Sequence, residues 1–183
     1  MILETQNSLF YLADTIDPST GTGEPMRPVK DGVLITSPLD STAPFPPVSK
    51  PLMISTVLND AGPVIYGFFA SPLSESDFQA FCNASLGPVR TSKAINSAFY
   101  RPVVLLNESA DAREQLEPLA TDELWKCPSW TFARNWAQNG GTAYVGLYTV
   151  GATYPPNTQV PFCEQEGVVC HQDDIMIVVS VPS

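Results

Sequence analysis

One histidine carries the clearest chemical signal in this chain. His171 is the only histidine among 183 residues, and it directly follows Cys170 and shortly precedes Asp173 and Asp174. Imidazole titrates near neutral pH and can accept and return a proton, so a general base is one interpretation. A metal ligand and an ordinary polar loop residue are the other two.

The cysteines give poor support to a metal site. None of the four forms a Cys-x-x-Cys pair, and a single histidine does not complete the usual zinc spacing, so we expect no metal and no cofactor. Six residues separate Cys163 from Cys170, which makes a local disulfide geometrically easy. Sequons at Asn83 and Asn107 would be glycosylated in a secretory pathway. Together these features favour an oxidising compartment.

Composition and charge limit the class of protein. Hydrophobic residues make up 44% and charged residues 15%, a globular mixture. The formal net charge of −10 repels phosphate backbones and anionic membrane surfaces, so we expect neither nucleic acid nor a membrane as a partner. No apolar run approaches the ~20 residues that cross a bilayer, and the first residues lack the basic region of a signal peptide. The location of the chain as written is therefore open.

Three apolar stretches are predicted to be β-strands, over residues 52–60, 142–150 and 174–181. The first is a near-continuous apolar and β-branched run, which is typical of a strand covered on both faces in a parallel sheet. Functional residues of α/β folds lie at the C-terminal ends of such strands. Asp60 is the acid at that end.

Helices are predicted around these strands. One covers 1–15, and another begins after Ser74, which is a suitable N-cap. A third helical region, 111–141, has a predicted break around Pro118, a new start near Thr121 and Asp122, and an end at Asn-Gly-Gly. His171 falls in the long loop before the third strand, and long loops inside compact domains tend to be functional.

Three stretches in the same order resemble the type-B carboxylesterases, the cholinesterase-like branch of the α/β-hydrolases, and their fungal members above all. Residues 28–62 look like the family segment that runs from a Pro-Val-x-Asp-Gly turn to the strand carrying the catalytic acid. Residues 121–150 are similar to the family helix with a cysteine before a proline, followed by a Tyr-bearing strand. Residues 167–179 resemble the loop of the catalytic histidine. The resemblance implies a partial α/β-hydrolase fold, the C-terminal part of the sheet with its flanking helices.

The resemblance also implies roles for individual residues. His171 falls at the catalytic base, which takes a proton from a serine hydroxyl and returns it to the leaving alcohol. Asp174 falls on an acidic position that the family often has, a supporting group near the histidine. In an ungapped match Ala61 takes the place of the family acid, so Asp60 serves as the triad acid only if the turn is shifted by one residue. The other interpretation is that Asp60 merely begins a turn before Gly62.

The family nucleophile has no counterpart in this sequence. A serine within Gly-x-Ser-x-Gly, which α/β-hydrolases place ahead of the acid and the histidine, is absent. We therefore expect residues 1–24 to be a helix-and-loop remnant prone to disorder and residues 25–183 to be the C-terminal portion of a carboxylesterase type-B domain, inactive alone. For the complete protein the resemblance implies a secreted glycoprotein. It also places Cys127 at a family cysteine that is commonly disulfide-bonded, and Cys82 is the available partner.

Three hypotheses for the function follow. The first is an incomplete serine carboxylic-ester hydrolase, and the second is a non-catalytic, cholinesterase-like interaction module. The third is a complete chain that pairs with a separate nucleophile-bearing partner. His171 in a family-like loop favours the first, because an adhesive domain has no need of a base there. The residues present do not identify the ester.

Overall fold

The computed structural model describes residues 32–33, 48–100, 111–152 and 157–179. The chain divides into two compact units, Met1–Phe45 and Pro46–Ser183, and the helices and strands given below lie in the second. The predicted helix over 1–15, the predicted disorder of 1–24 and the sequon at Asn107 fall outside the described residues. They stay predictions.

Two of the predicted strands are confirmed, and they form a parallel pair. Strand β1 is Leu52–Val57 and strand β2 is Ala143–Tyr148. Leu52 lies opposite Ala143 and Val57 opposite Tyr148, so the two strands are paired over their full length. Parallel neighbours require a crossover connection, which here is helical. The described part of the chain is thus a mixed helix-and-strand structure, in keeping with the α/β class.

Two helices follow β1. Helix α1 is Gly62–Phe68 and begins right after the turn that holds Asp60. Helix α2 is Glu75–Ile95, and its predicted N-cap is confirmed: the Ser74 hydroxyl accepts the Asp77 N–H at 3.2 Å, and the Asp77 carboxylate accepts the Ser74 N–H at 3.1 Å. This reciprocal capping box stabilises the first turn. Gly87, directly before Pro88, has a φ of 71° and interrupts the helix.

The predicted helix break around Pro118 is wrong. Helix α3, Arg113–Thr121, runs through Pro118 and is followed by a π turn, Asp122–Lys126, and by helix α4, Cys127–Gln138. A proline inside a helix costs about 3 kcal/mol, but α3 buries five side chains around this position, and that packing holds the helix together. The π turn, whose hydrogen bonds span one residue more than those of an α-helix, begins four residues after Pro118. Helix α4 ends at Asn-Gly-Gly as predicted, with Gly140 at φ of 94°.

The third predicted strand, 174–181, is a helix over the residues that the structure describes. Helix α5 is Asp173–Val179, with both aspartates in its first turn. The Asp173 carboxylate accepts the Cys170 N–H at 2.8 Å, and the negative charge stabilises the helix N-terminus. Gln172 precedes the helix at φ of 74°, which turns the chain into it. A short apolar run does not by itself distinguish a strand from a helix. Here the two aspartates of the first turn favour the helix.

The apolar core lies among α1, α2 and α3. Its buried members are Ala61, Ile65, Phe78, Cys82, Ala94, Ala112, Leu116 and Leu119. Ala61 belongs to the turn after β1, so the core begins beside the residue that precedes it, Asp60. Three short 3-10 turns complete the described chain, Ala98–Tyr100, Asn157–Gln159 and Pro161–Glu164. Among the described helices none is long and apolar enough to cross a membrane.

Candidate functional site

The structure brings together the two residues that the sequence singles out as base and acid. Nδ1 of His171 lies 2.7 Å from Oδ1 of Asp60, across a sequence separation of 111. The Asp60 side chain is 6% exposed and that of His171 is 47% exposed. A buried carboxylate thus holds one edge of an imidazole that solvent still reaches, which is the geometry that an acid–base pair needs.

The turn after β1 aims the Asp60 carboxylate at the histidine. Oδ2 of Asp60 accepts the N–H of Val57 at 3.2 Å, so the side chain folds back over the strand end. The Gly62 N–H donates to the Asn59 carbonyl at 3.0 Å and closes the turn. Ala61, which stands at the family acid position in the ungapped match, is buried in the core. Asp60, not Ala61, is therefore the residue of this turn that contacts His171. Asp60 begins the turn and also bonds His171.

Electrostatics strengthens His171 as a base. The pKa of His171 is raised above its ordinary value, first by the hydrogen bond to Asp60 and then by the charges of Asp60 and Asp174, while burial works against the shift. A carboxylate only accepts hydrogen bonds, so Nδ1 carries the proton in this pair and Nε2 is the basic nitrogen of the neutral ring. That tautomer is the one required for general-base work through Nε2.

Asp174 lies near enough to His171 for its charge to act on the imidazole. Its charge contributes to the raised pKa of His171. Its carboxylate oxygens accept hydrogen bonds from the Ser55 hydroxyl at 3.4 Å and from the Ile175 N–H at 2.9 Å. Asp174 therefore acts on His171 through its charge and, through Ser55, links the start of α5 to β1. Its part in any reaction stays a prediction.

The predicted local disulfide is confirmed. Cys163 and Cys170 are bonded, with their Cα atoms 5.7 Å apart. Cys170 immediately precedes His171 and forms a parallel bridge with Asn59, so the cross-link is anchored beside the acid turn. A Cβ atom added at Gly62 would lie 2.7 Å from the Phe162 ring and 3.1 Å from the Cys170 sulfur. Only glycine permits this close packing of the turn against the disulfide.

The other two cysteines are not bonded to each other. The structure has both Cys82 and Cys127 as free thiols, so the pairing implied by the resemblance is not found. The physical reason is their placement, because Cys82 is buried in the core on α2 whereas Cys127 is exposed at the start of α4. Burial raises the pKa of the Cys82 thiol, and the charge of Glu75 raises it further.

Trp125 is a neighbour of His171 that the sequence did not reveal. The centroids of the two rings are 5.7 Å apart at an interplanar angle of 52°. Trp125 packs against the apolar core, whereas Trp130 is exposed. Trp125 lies within the π turn, and π turns occur frequently at functional sites.

Asp173 and Asn83 complete the residues of interest. Asp173 is buried, and its bond to the Cys170 N–H fixes the backbone on both sides of His171. In the sequence, the pair of acids at the start of α5 was the feature that could have pointed to Asp173.

Asn83 is exposed on α2, where its sequon is accessible in the folded protein.

No protein-family model matches this chain, and no curated protein matches it either. The likeness to type-B carboxylesterases therefore rests on the three sequence stretches alone.

Proposed function

We propose that this chain carries the acid–base half of a serine carboxylic-ester hydrolase, with His171 as the general base and Asp60 as its acid. The observation that carries the proposal is the 2.7 Å contact between the buried Asp60 carboxylate and Nδ1 of His171. Two residues singled out from separate stretches, 111 positions apart, meet in the geometry that this role needs.

The chemistry follows from the tautomer. Nε2 of His171 would take the proton of a serine hydroxyl as it attacks the ester carbonyl, and would return it to the leaving alcohol. Asp60 would hold the ring in that orientation and stabilise the imidazolium that forms. Burial of Asp60 makes this contact stronger than one made in water.

The fold class supports the same proposal. β1 and β2 are parallel, and Asp60 follows the C-terminal end of β1, where α/β folds place functional residues. The acid also precedes the histidine along the chain, which is the order found in α/β-hydrolases. An α/β-hydrolase fold for the complete domain is part of the proposal.

The proposal requires a nucleophile from elsewhere. The sequence contains no Gly-x-Ser-x-Gly motif, so the serine and the oxyanion donors would come from a segment outside these residues, in the same polypeptide or in a partner. Without them the tetrahedral intermediate is not stabilised. We accordingly expect the 183 residues alone to show no serine-dependent turnover of an aryl ester.

Reading the transcript around the coding region in one piece is the first test. We expect an in-frame upstream segment that encodes a glycine-flanked serine. The whole product is then assayed on p-nitrophenyl butyrate, with Glu166→Gln as a control on the exposed part of the same loop. We expect His171→Ala to lower kcat/KM by about 10³-fold or more, while the control stays within about twofold.

Two results would contradict the proposal. One is an ester hydrolase whose kcat/KM survives His171→Ala. The other is a complete coding region, and a complex purified from the source, that both lack a nucleophile motif. The first result would place the general base at another residue, and the second would leave the non-catalytic interaction module as the better account of the chain.

A further inference from the structure

A buried carboxylate that the pair itself does not use lies behind the acid turn. Glu117 is on α3 and is only 4% exposed. Carboxylates are almost never buried this deeply without partners. Both of its oxygens accept hydrogen bonds. One bond connects Glu117 to the residue before Asp60 and the other, through a second side chain, to the residue after it, and we call these two connections arms.

The first arm runs through Asn59, the residue before Asp60. Nδ2 of Asn59 donates to Oε2 of Glu117 at 3.1 Å. The same Asn59 reaches the histidine loop, because its Oδ1 accepts the Val169 N–H at 3.1 Å and its own N–H donates to the Val169 carbonyl at 2.8 Å. Glu117 therefore fixes the amide that joins the two loops.

The second arm runs through Thr121 to the residue after Asp60. The Thr121 hydroxyl donates to Oε1 of Glu117 at 2.8 Å and accepts the Ala61 N–H at 2.8 Å. Thr121 is fully buried, so its hydroxyl has no water to replace these partners. The backbone on each side of Asp60 is thus tied to one carboxylate.

We propose that Glu117 is the positioning residue of the Asp60–His171 pair. By holding Asn59 and, through Thr121, Ala61, it sets where the Asp60 carboxylate meets the imidazole. The inference rests on the proposed function only in so far as the pair is catalytic, since the positioning itself is measurable without any substrate.

The charges around the two groups are consistent with this role. Burial raises the pKa of Glu117 most, and Asp122 adds to the rise, while the hydrogen bonds from Thr121 and Asn59 and the charge of Lys126 lower it. The Lys126 ammonium also donates to the Leu58 carbonyl at 3.0 Å, in the same turn. The pKa of His171 is raised by the hydrogen bond and the charge of Asp60 and by the charge of Asp174. Glu117→Gln removes a charge as well as a hydrogen-bond acceptor, so the neutral substitution Thr121→Val separates transmission through position from a direct effect of charge.

Glutamine in place of Glu117 is a sharp test because its shape is nearly the same. A carboxylate accepts from both donors, whereas the NH₂ of a glutamine can only donate, so either the bond from Asn59 is lost or the Thr121 hydroxyl must reverse its role and accept. Thr121→Val breaks the Thr121 arm without changing any charge, and Thr121→Ser keeps the hydroxyl. Glu114→Gln is the matched control, since it removes the same charge from an exposed position on the same helix.

The measurement is the NMR titration of the histidine ring, which is unambiguous because the chain has one histidine. We expect Glu117→Gln and Thr121→Val each to lower the pKa of His171 by about 0.5 or more, and Thr121→Ser and Glu114→Gln to leave it within about 0.2 of wild type. An unchanged pKa in a folded Thr121→Val protein, in which the Thr121 arm is broken without a change of charge, would overturn the inference.

A second measurement needs no variant. In the wild-type protein, the side-chain amide of Asn59 should shift in NMR spectra with the same midpoint as the Glu117 carboxyl carbon, because protonation removes one acceptor. If the chemical shift of the Asn59 side-chain amide does not change as Glu117 titrates, the inference is also overturned. Neither readout uses ester turnover, so failure here is distinguishable from failure of the proposed function.

Discussion

The apolar core and the polar junction at the acid turn are held together by different physics. The core packs side chains such as Phe78 and Leu116 against one another with no required direction. The polar junction, which we define as Asn59, Glu117, Thr121 and the Val169 backbone, matches each donor to one acceptor. Cores tolerate exchange of similar volumes, whereas a buried hydrogen-bond network loses stability with any unmatched partner. Stability and the placement of the pair should therefore respond to different substitutions.

The largest expected effect on stability is in the core. Phe78 is fully buried, and Phe78→Ala should lower the free energy of unfolding by about 3–5 kcal/mol through lost burial and a cavity. Chemical denaturation measures it. Phe99→Ala, at a side chain that is 90% exposed, is the control and should stay within about 0.5 kcal/mol. The pKa of His171 in the folded Phe78→Ala protein should be unchanged, and a shift would break the separation between core and junction.

The disulfide is expected to come next. Cys163 and Cys170 are seven positions apart and close a short loop. Replacing both with alanine frees that loop in the unfolded chain and should lower the free energy of unfolding by about 2–3 kcal/mol. Reduction of the wild-type disulfide should give a similar loss in the same denaturation experiment. Because Cys170 bridges to Asn59, we also expect the His171 ring resonances to broaden. Unbroadened resonances would mean that the junction holds the loop without the cross-link.

Removing the charge of Asp60 should lower stability less than removing the disulfide does, but it should change the pKa of His171. Asp60→Asn keeps an oxygen for the Val57 N–H but loses the charge-assisted bond to His171, a loss of about 1–2 kcal/mol. The pKa of His171, which Asp60 raises, should fall by about 1 in an NMR titration. Asp174→Asn is the comparison, with a smaller fall, because Asp174 is the last of the causes that raise this pKa. Equal falls in the two variants would contradict the primary role of Asp60.

The smallest effect is the pH dependence of stability that His171 contributes. Its pKa is raised in the folded protein, so the stabilisation is full below the unfolded pKa and is lost as pH rises through the folded pKa. The difference in unfolding free energy between wild type and His171→Gln should therefore be larger at about pH 5.5 than at about pH 9. We expect a change of roughly 0.5 kcal/mol, because the ring is half-exposed and solvent screens the pair. The opposite sign would exclude a stabilising imidazolium–Asp60 contact.

Much of the local structure could be predicted because it depends on neighbouring residues. The Ser74 capping box, the end of α4 at Asn-Gly-Gly and the two strands follow from side chains within a few positions. Predictions failed where packing opposed the local pattern. Burial of one face carried α3 through Pro118, and the aspartates at the start of α5 made a helix of an apolar run that suited a strand equally well.

The sequence by itself determined which residues of this protein have the chemistry of an acid–base pair. His171 is the sole histidine, Asp60 is the acid at a strand end, and Cys163 and Cys170 are close enough along the chain to bond. Only the tertiary structure decided that Asp60 rather than Ala61 faces the imidazole, that Trp125 lies beside it, and that Glu117 stands behind it. Those contacts join residues between 46 and 111 positions apart, and a contact of that separation depends on how the helices pack, which no local pattern encodes.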